Sequence, residues 1–198
     1  MKSSEDSPAL MGSNRNAIRR SIVHSEFQYA SPAIFLHWLM AMLIIFTIGL
    51  GLYMVAIEKE PRSEWYFDLH MSIGLTLAAL LVLRVMWRLI HKPAALPACV
   101  PRWQVRSARL LHWALYAAML VMPVAGFTGA LYSKFGVTVF GQNLPHWVTP
   151  NRALSQQLLA AHTLVAWLLV ATIALHILAG LKHLLLNRDG VFQRMWPS

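Results

Sequence analysis

The stretch ALSQQLLAAHTLVAWLLVATIALHILAGL, residues 153–181, decides the fold. It carries no Asp, Glu, Lys or Arg and exceeds the roughly 20 residues a helix needs to cross a hydrocarbon core of about 30 Å. Two histidines stand inside it, His162 and His176. Fourteen steps of about 100° return within roughly 40° of the starting direction and advance about 21 Å, so the two rings share one helix face at two depths.

Working outward, three more segments have the same character: Ala33–Ile57, Leu69–Ile90 and Leu110–Ser133. Arg84 and Arg88 interrupt the second, but only in its last two turns, where long side chains reach the headgroups. Of the 198 residues, 57% are apolar and 13% charged, against about a quarter charged in soluble domains. The fold expected is all-α, an integral membrane four-helix bundle over residues 31–198. Residues 1–30 are polar and irregular, with no apolar stretch long enough for a signal-peptide core, and are expected to be a flexible cytoplasmic tail. Met11 is an equally good start, so no function is placed before it. Pro61, Pro145 and Pro150 break the short links, and no internal repeat is visible.

The formal charge of +9 does not point to nucleic acid, because the basic residues lie between apolar runs rather than on one polar face. They report topology. The N-terminal segment, the middle link with its flanking helix ends and the C-terminus hold thirteen Lys and Arg, the first and third links four. Cytoplasmic segments carry that excess, so both termini are expected in the cytoplasm and the protein in the bacterial inner membrane. The single cysteine, Cys99, excludes an intramolecular disulfide and the CxxCH attachment of c-type haem.

Five histidines lie within the apolar spans: His37, His70, His112, His162 and His176. Ionisable groups at that depth are rare and commonly functional, although a neutral histidine bonded between helices is the plainer alternative for any one of them. Depth sorts them. The first span runs outward and the fourth inward, which puts His37 level with His176 near the cytoplasmic side and His70 level with His162 near the outer side. Zinc would want three or four ligands, and each level offers two well-placed imidazoles and no carboxylate. Haem wants two axial imidazoles and an apolar slot. Gly49, Gly51, Gly74, Gly126, Gly129 and Gly180 are places where a flat macrocycle can press on a helix, or equally where helices pack closely.

LHW at 36–38, LHMSIG at 69–74, RVMWR at 84–88, RLLHWALY followed by PVAG within 109–126, and His162, His176 and His183 together resemble the bacterial cytochrome b-561 family over about residues 31–196. That resemblance implies two non-covalent bis-histidine b haems, His37 with His176 and His70 with His162, and exchange of electrons with membrane quinone. Two imidazoles per iron leave no open position, which suits single-electron transfer.

The resemblance also suggests one specific reaction, a superoxide:ubiquinone oxidoreductase that collects superoxide outside. The outer links carry Lys59, Arg62, Lys134 and Arg152 against Glu58, Glu60, Glu64 and Asp68, so only a local patch near Lys134 and Arg152 would steer an anion. A quinone-linked cytochrome subunit serving a separate periplasmic oxidoreductase is the alternative, and a haem-free transporter or scaffold is the rival from another class. His183, about 10 Å beyond His176, is the candidate for the quinone headgroup, or else a snorkelling interfacial residue beside Lys182. His112 and Arg84 are expected to bind cofactor, through a haem propionate or the quinone. Arg84 and Arg88 also mark the membrane boundary.

The charge count makes a topological prediction. A reporter fused after Ser198 should behave as cytoplasmic and one inserted near Asn143 as periplasmic; the reverse pattern would overturn the orientation.

Overall fold

The computed structural model describes residues 28–61, 63–91 and 100–196. The expected tail lies outside the described residues except for Gln28, Tyr29 and Ala30, as do Arg62, Lys92 and Cys99. Four helices form: α1 (Ser31–Ala56), α2 (Glu64–Ile90), α3 (Arg102–Leu131) and α4 (Arg152–Lys182). Each is long and apolar enough to cross a membrane, and together they make a four-helix membrane bundle.

Helix α2 begins five residues before Leu69 and α3 eight before Leu110, because a helix does not stop at the hydrocarbon edge. Its polar turns continue into the headgroup layer, where backbone bonding is as favourable and charged side chains are solvated. Local chemistry sets the starts. Pro32 occupies the first turn of α1, where its missing N–H costs nothing, and the Asn151 side chain accepts from the Leu154 N–H at 3.1 Å to cap α4.

Large apolar side chains such as Phe46, Leu52, Val82, Trp113, Leu164 and Leu178 point outward. Lipid is as apolar as leucine, so close packing and interhelical hydrogen bonds hold such a bundle. Helices α3 and α4 pack along their length, as do α1 and α2. Ser155 Oγ donates to the Gly129 carbonyl at 2.7 Å, and a Cβ on Gly129 would lie 2.9 Å from the Leu159 side chain. Close packing therefore accounts for Gly129. Helix α4 scarcely approaches the backbones of α1 and α2, which leaves a separation between the helices that carry the paired histidines.

One end of the bundle is covered by a hairpin that the sequence reading did not foresee, β1 (Thr138–Val139) with β2 (Gln142–Asn143). Phe140 and Gly141 at its tip have φ of 50° and 75°, as a two-residue turn of the tight mirror-image type requires. Phenylalanine dislikes that region, and α2 holds it there: Phe140 N–H donates to Ser72 Oγ at 2.8 Å and Gly141 N–H to Asp68 Oδ2 at 3.0 Å. At the opposite end the chain beyond α4 folds back on α1. Trp38 Nε1 donates to the Met195 carbonyl at 2.7 Å, Tyr29 N–H to the Arg194 carbonyl at 3.2 Å, and the Trp196 ring meets Trp38 edge-on. The first and last described residues therefore meet at one end.

Ser72→Ala removes the acceptor that fixes Phe140. We expect a loss of about 1–3 kcal/mol, the cost of an unsatisfied backbone donor, and faster hydrogen exchange confined to residues 138–143, read by mass spectrometry. Unchanged exchange there would disprove the clamp.

Candidate functional site

Each level of the bundle brings histidines together across the gap beside α4. The rings of His70 on α2 and His162 on α4 have centroids 6.1 Å apart, and those of His37 on α1 and His176 on α4 are also 6.1 Å apart. Two imidazoles on opposite sides of one metal ion, through bonds of about 2 Å and with about 1.1 Å from each nitrogen to its ring centre, would stand about 6.2 Å apart. The sequence depth argument and the structure thus bring the same rings together.

The His70 and His162 rings each rest on a glycine. His162 Nδ1 lies 2.9 Å from the Met122 carbonyl, and Gly126, four residues on from Met122, is where a Cβ would lie 2.8 Å from that same nitrogen. A side chain there would push the ring off the carbonyl. Across the bundle His70 packs on Gly51 of α1, where a Cβ would meet its Cε1 at 3.1 Å. Gly51 lies four residues on from Thr47, as Gly126 does from Met122, but buried His70 Nδ1 has no hydrogen-bond partner. A ring whose Nδ1 faces a carbonyl keeps its proton there and presents Nε2 as the ligating atom.

Three rings stand at the other level. His176 lies between His37 and His112, whose centroid is 5.4 Å from it with the planes at 69°. His176 thus has two imidazole neighbours, one on α1 and one on α3. Arg84 donates to the Ala33 carbonyl at 3.2 Å and lies 3.4 Å from His37 Nδ1. A guanidinium only donates, so in this arrangement the ring proton of His37 sits on Nε2. Arg84 and Arg88 line a cavity of about 200 Å³ beside this level, with Trp87, His91, Tyr116 and Met195. The Arg88 guanidinium stands 5.9 Å over the Tyr116 ring.

His183 lies past the end of α4, in a π-helical turn over His183–Asn187, with its Nδ1 2.7 Å from Asp189 Oδ2. Sequence reasoning missed that carboxylate. The run Asn187, Arg188, Asp189, Gly190 was its signal, because such residues make turns. Gly51 and Gly126, which pack on His70 and His162, were named only as general contact points. Gly49 and Gly74 have nothing within 4 Å, and Gly180 has Phe192 at 3.5 Å.

The arrangement fits a haem better than a bare ion. Among the described residues no group of three or more His, Cys, Asp or Glu is placed to hold a metal, whereas an iron whose other four positions are filled by a porphyrin needs only the two rings of one level.

Comparison with known proteins agrees. A family profile described as prokaryotic cytochrome b561 matches residues 28–198. Cytochrome b561 homolog 2 of Escherichia coli K12 is 30% identical over 88% of this chain and 94% of its own. Cytochrome b561 homolog 1 of the same organism is 25% identical over 86% and 97%.

The cradles make a prediction. Gly126→Ala should push His162 off the Met122 carbonyl and lower the haem content of the purified protein, read by the pyridine-haem assay. A full complement in this variant would contradict the close approach.

Proposed function

The chain belongs to the prokaryotic cytochrome b561 family, a membrane b-type cytochrome of electron transfer, and from that premise we propose that it carries electrons through two b haems to ubiquinone, with superoxide as the outer donor. Membership sets the haem-free transporter or scaffold aside. The observation that carries the proposal is the pair of histidine couples with equal centroid separations of 6.1 Å, at two depths of one membrane bundle.

When bound, haem supplies a reversible one-electron carrier that has no open coordination site under two imidazoles. The chain's part is positional. His70 and His162 hold the outer group, with Met122 and the bare backbones of Gly51 and Gly126 fixing the rings; His37 and His176 hold the inner one. For His37 to ligate through Nε2, its proton must pass to Nδ1, and the Ala33 carbonyl that Arg84 now occupies is the natural acceptor. Arg84 is freed for that exchange by an anion, and we assign it, with His112, to a haem propionate. The orientation adopted is both termini cytoplasmic, in the inner membrane.

Superoxide needs a positive approach. The Asn151 N–H donates to the Tyr132 carbonyl at 2.9 Å, joining the end of α3 to the start of α4, so exposed Lys134 and Arg152 flank one corner of the outer end. That corner supports superoxide as donor. Exposed Phe135, Phe140 and Trp147 around the hairpin favour the second reading, a periplasmic oxidoreductase docked there. At the inner end His183 is proposed to meet the quinone headgroup.

One set of variants tests these assignments. His70→Ala or His162→Ala should remove one haem, His37→Ala or His176→Ala the other, and His112→Ala should retain both. His183→Ala should keep both haems reducible by superoxide while electron delivery to added ubiquinone slows at least tenfold. If His112→Ala lost a haem while His37→Ala kept both, the inner pairing would be wrong; if superoxide failed to reduce the haems, the docked oxidoreductase would replace it.

A further inference from the structure

The turn beyond α4 sets a carboxylate where helix electrostatics opposes it. The last carbonyls of a helix carry the negative end of its dipole, so Asp or Glu is unfavourable there. Asp189 nevertheless folds back onto that end. The Arg188 N–H closes the π turn on the His183 carbonyl at 2.9 Å, and Arg188 and Gly190, with φ of 49° and 77°, reverse the chain. A left-handed arginine is itself unfavourable by about 1 kcal/mol or more. Both costs are offset by what Asp189 gains. Its Oδ2 lies 2.7 Å from His183 Nδ1 and 3.4 Å from Asn187 Nδ2, and its Oδ1 accepts the Val191 N–H at 3.2 Å. The side chains of His183 and Asp189 are 15% and 10% exposed, so water screens the pair only partly.

The proton on this pair can be assigned. A carboxylate only accepts, so its partner must donate and Nδ1 of His183 carries the hydrogen. Asn187 Nδ2 also lies 3.3 Å from Nδ1, but both are donors, so the amide serves the carboxylate. Partial burial works against the charge on Asp189, yet the bonds from His183, Val191 and Asn187 outweigh it and hold the carboxyl below its ordinary range.

Resting on the quinone reading above, we propose that Asp189 is a positioning residue: it fixes the Nδ1–H form of His183, making Nε2 the nitrogen that passes protons to the quinone. Conversion of quinone to quinol takes two electrons, which arrive singly from the outer one-electron donor, and two protons from water on the inner side. Each proton leaves Nε2 of the imidazolium, the N–H bond breaking as a quinol O–H bond forms. The neutral ring keeps Nδ1–H on Asp189 and is reprotonated at Nε2 by water. The carboxylate stabilises the cationic ring before transfer and prevents the ring from presenting the wrong nitrogen after it.

The test uses the full chain with both haems, in detergent, with a soluble ubiquinone analogue. In the wild-type protein labelled with ¹⁵N-histidine, the His183 signals, assigned by their loss in His183→Ala, should be those of the Nδ1–H tautomer when the ring is neutral. Asp189→Asn should retain both haems and their reduction by the outer donor, lower quinone reduction about 10- to 100-fold, as loss of an orienting partner does, and mix the tautomers. Asp189→Glu should restore part of the rate. An Nε2–H tautomer in the wild type would overturn the proposal without any variant, as would Asp189→Asn with an unchanged rate and spectrum. A purely structural role would instead lower haem content and leave the tautomer alone. If His183→Ala itself reduces quinone normally, it is the quinone assignment that fails; if only Asp189→Asn does, it is this one.

Discussion

A polar ring inside a bilayer has no water to turn to, and that constraint governs this protein. Five imidazoles lie within the apolar spans, and each must find a carbonyl, another side chain or a ligand inside the bundle. The bundle answers by opening rather than closing. Helix α4 packs along α3, yet stands clear of α1 and α2, and the histidine couples reach across that separation. A haem held by such a couple would add contacts where the helices themselves make few, and binding the folded state alone stabilises it.

Much of this was legible in the sequence because membranes simplify the code. Helix length, loop charge and the spacing of His162 and His176 are one-dimensional quantities that carry depth directly. They bring His37 to the level of His176 and His70 to that of His162. What escaped are features that carry no period. A hairpin of two-residue strands has too few positions to alternate, and its clamp, Ser72 and Asp68, reads as ordinary helix. The cradles were half legible: Gly51 and Gly126 stood out as glycines, but only the structure pairs each with one ring, since Gly129 beside them serves packing instead. Helices α2 and α3 start before the apolar segments they contain, because hydropathy follows lipid contact and not backbone geometry.

The two ends of the bundle differ in kind. His162 is held by the Met122 carbonyl, and Gly126 and Gly51 give it and His70 room, all fixed groups with no charge. His37 and His176 stand among Arg84, a third histidine and the returning C-terminal segment. One level is set by neutral backbone, the other by charged and titratable side chains.

Both couples draw one partner from the same helix, and that helix follows the other three in the chain. Helices α1, α2 and α3 carry one half of each couple and no means of completing it. Neither level closes until α4 follows, and the end that carries His37 and His176 is sealed only when Met195 reaches Trp38. Assembly is thereby ordered along the chain: a chain cut before α4 has no complete couple, and one helix brings both together.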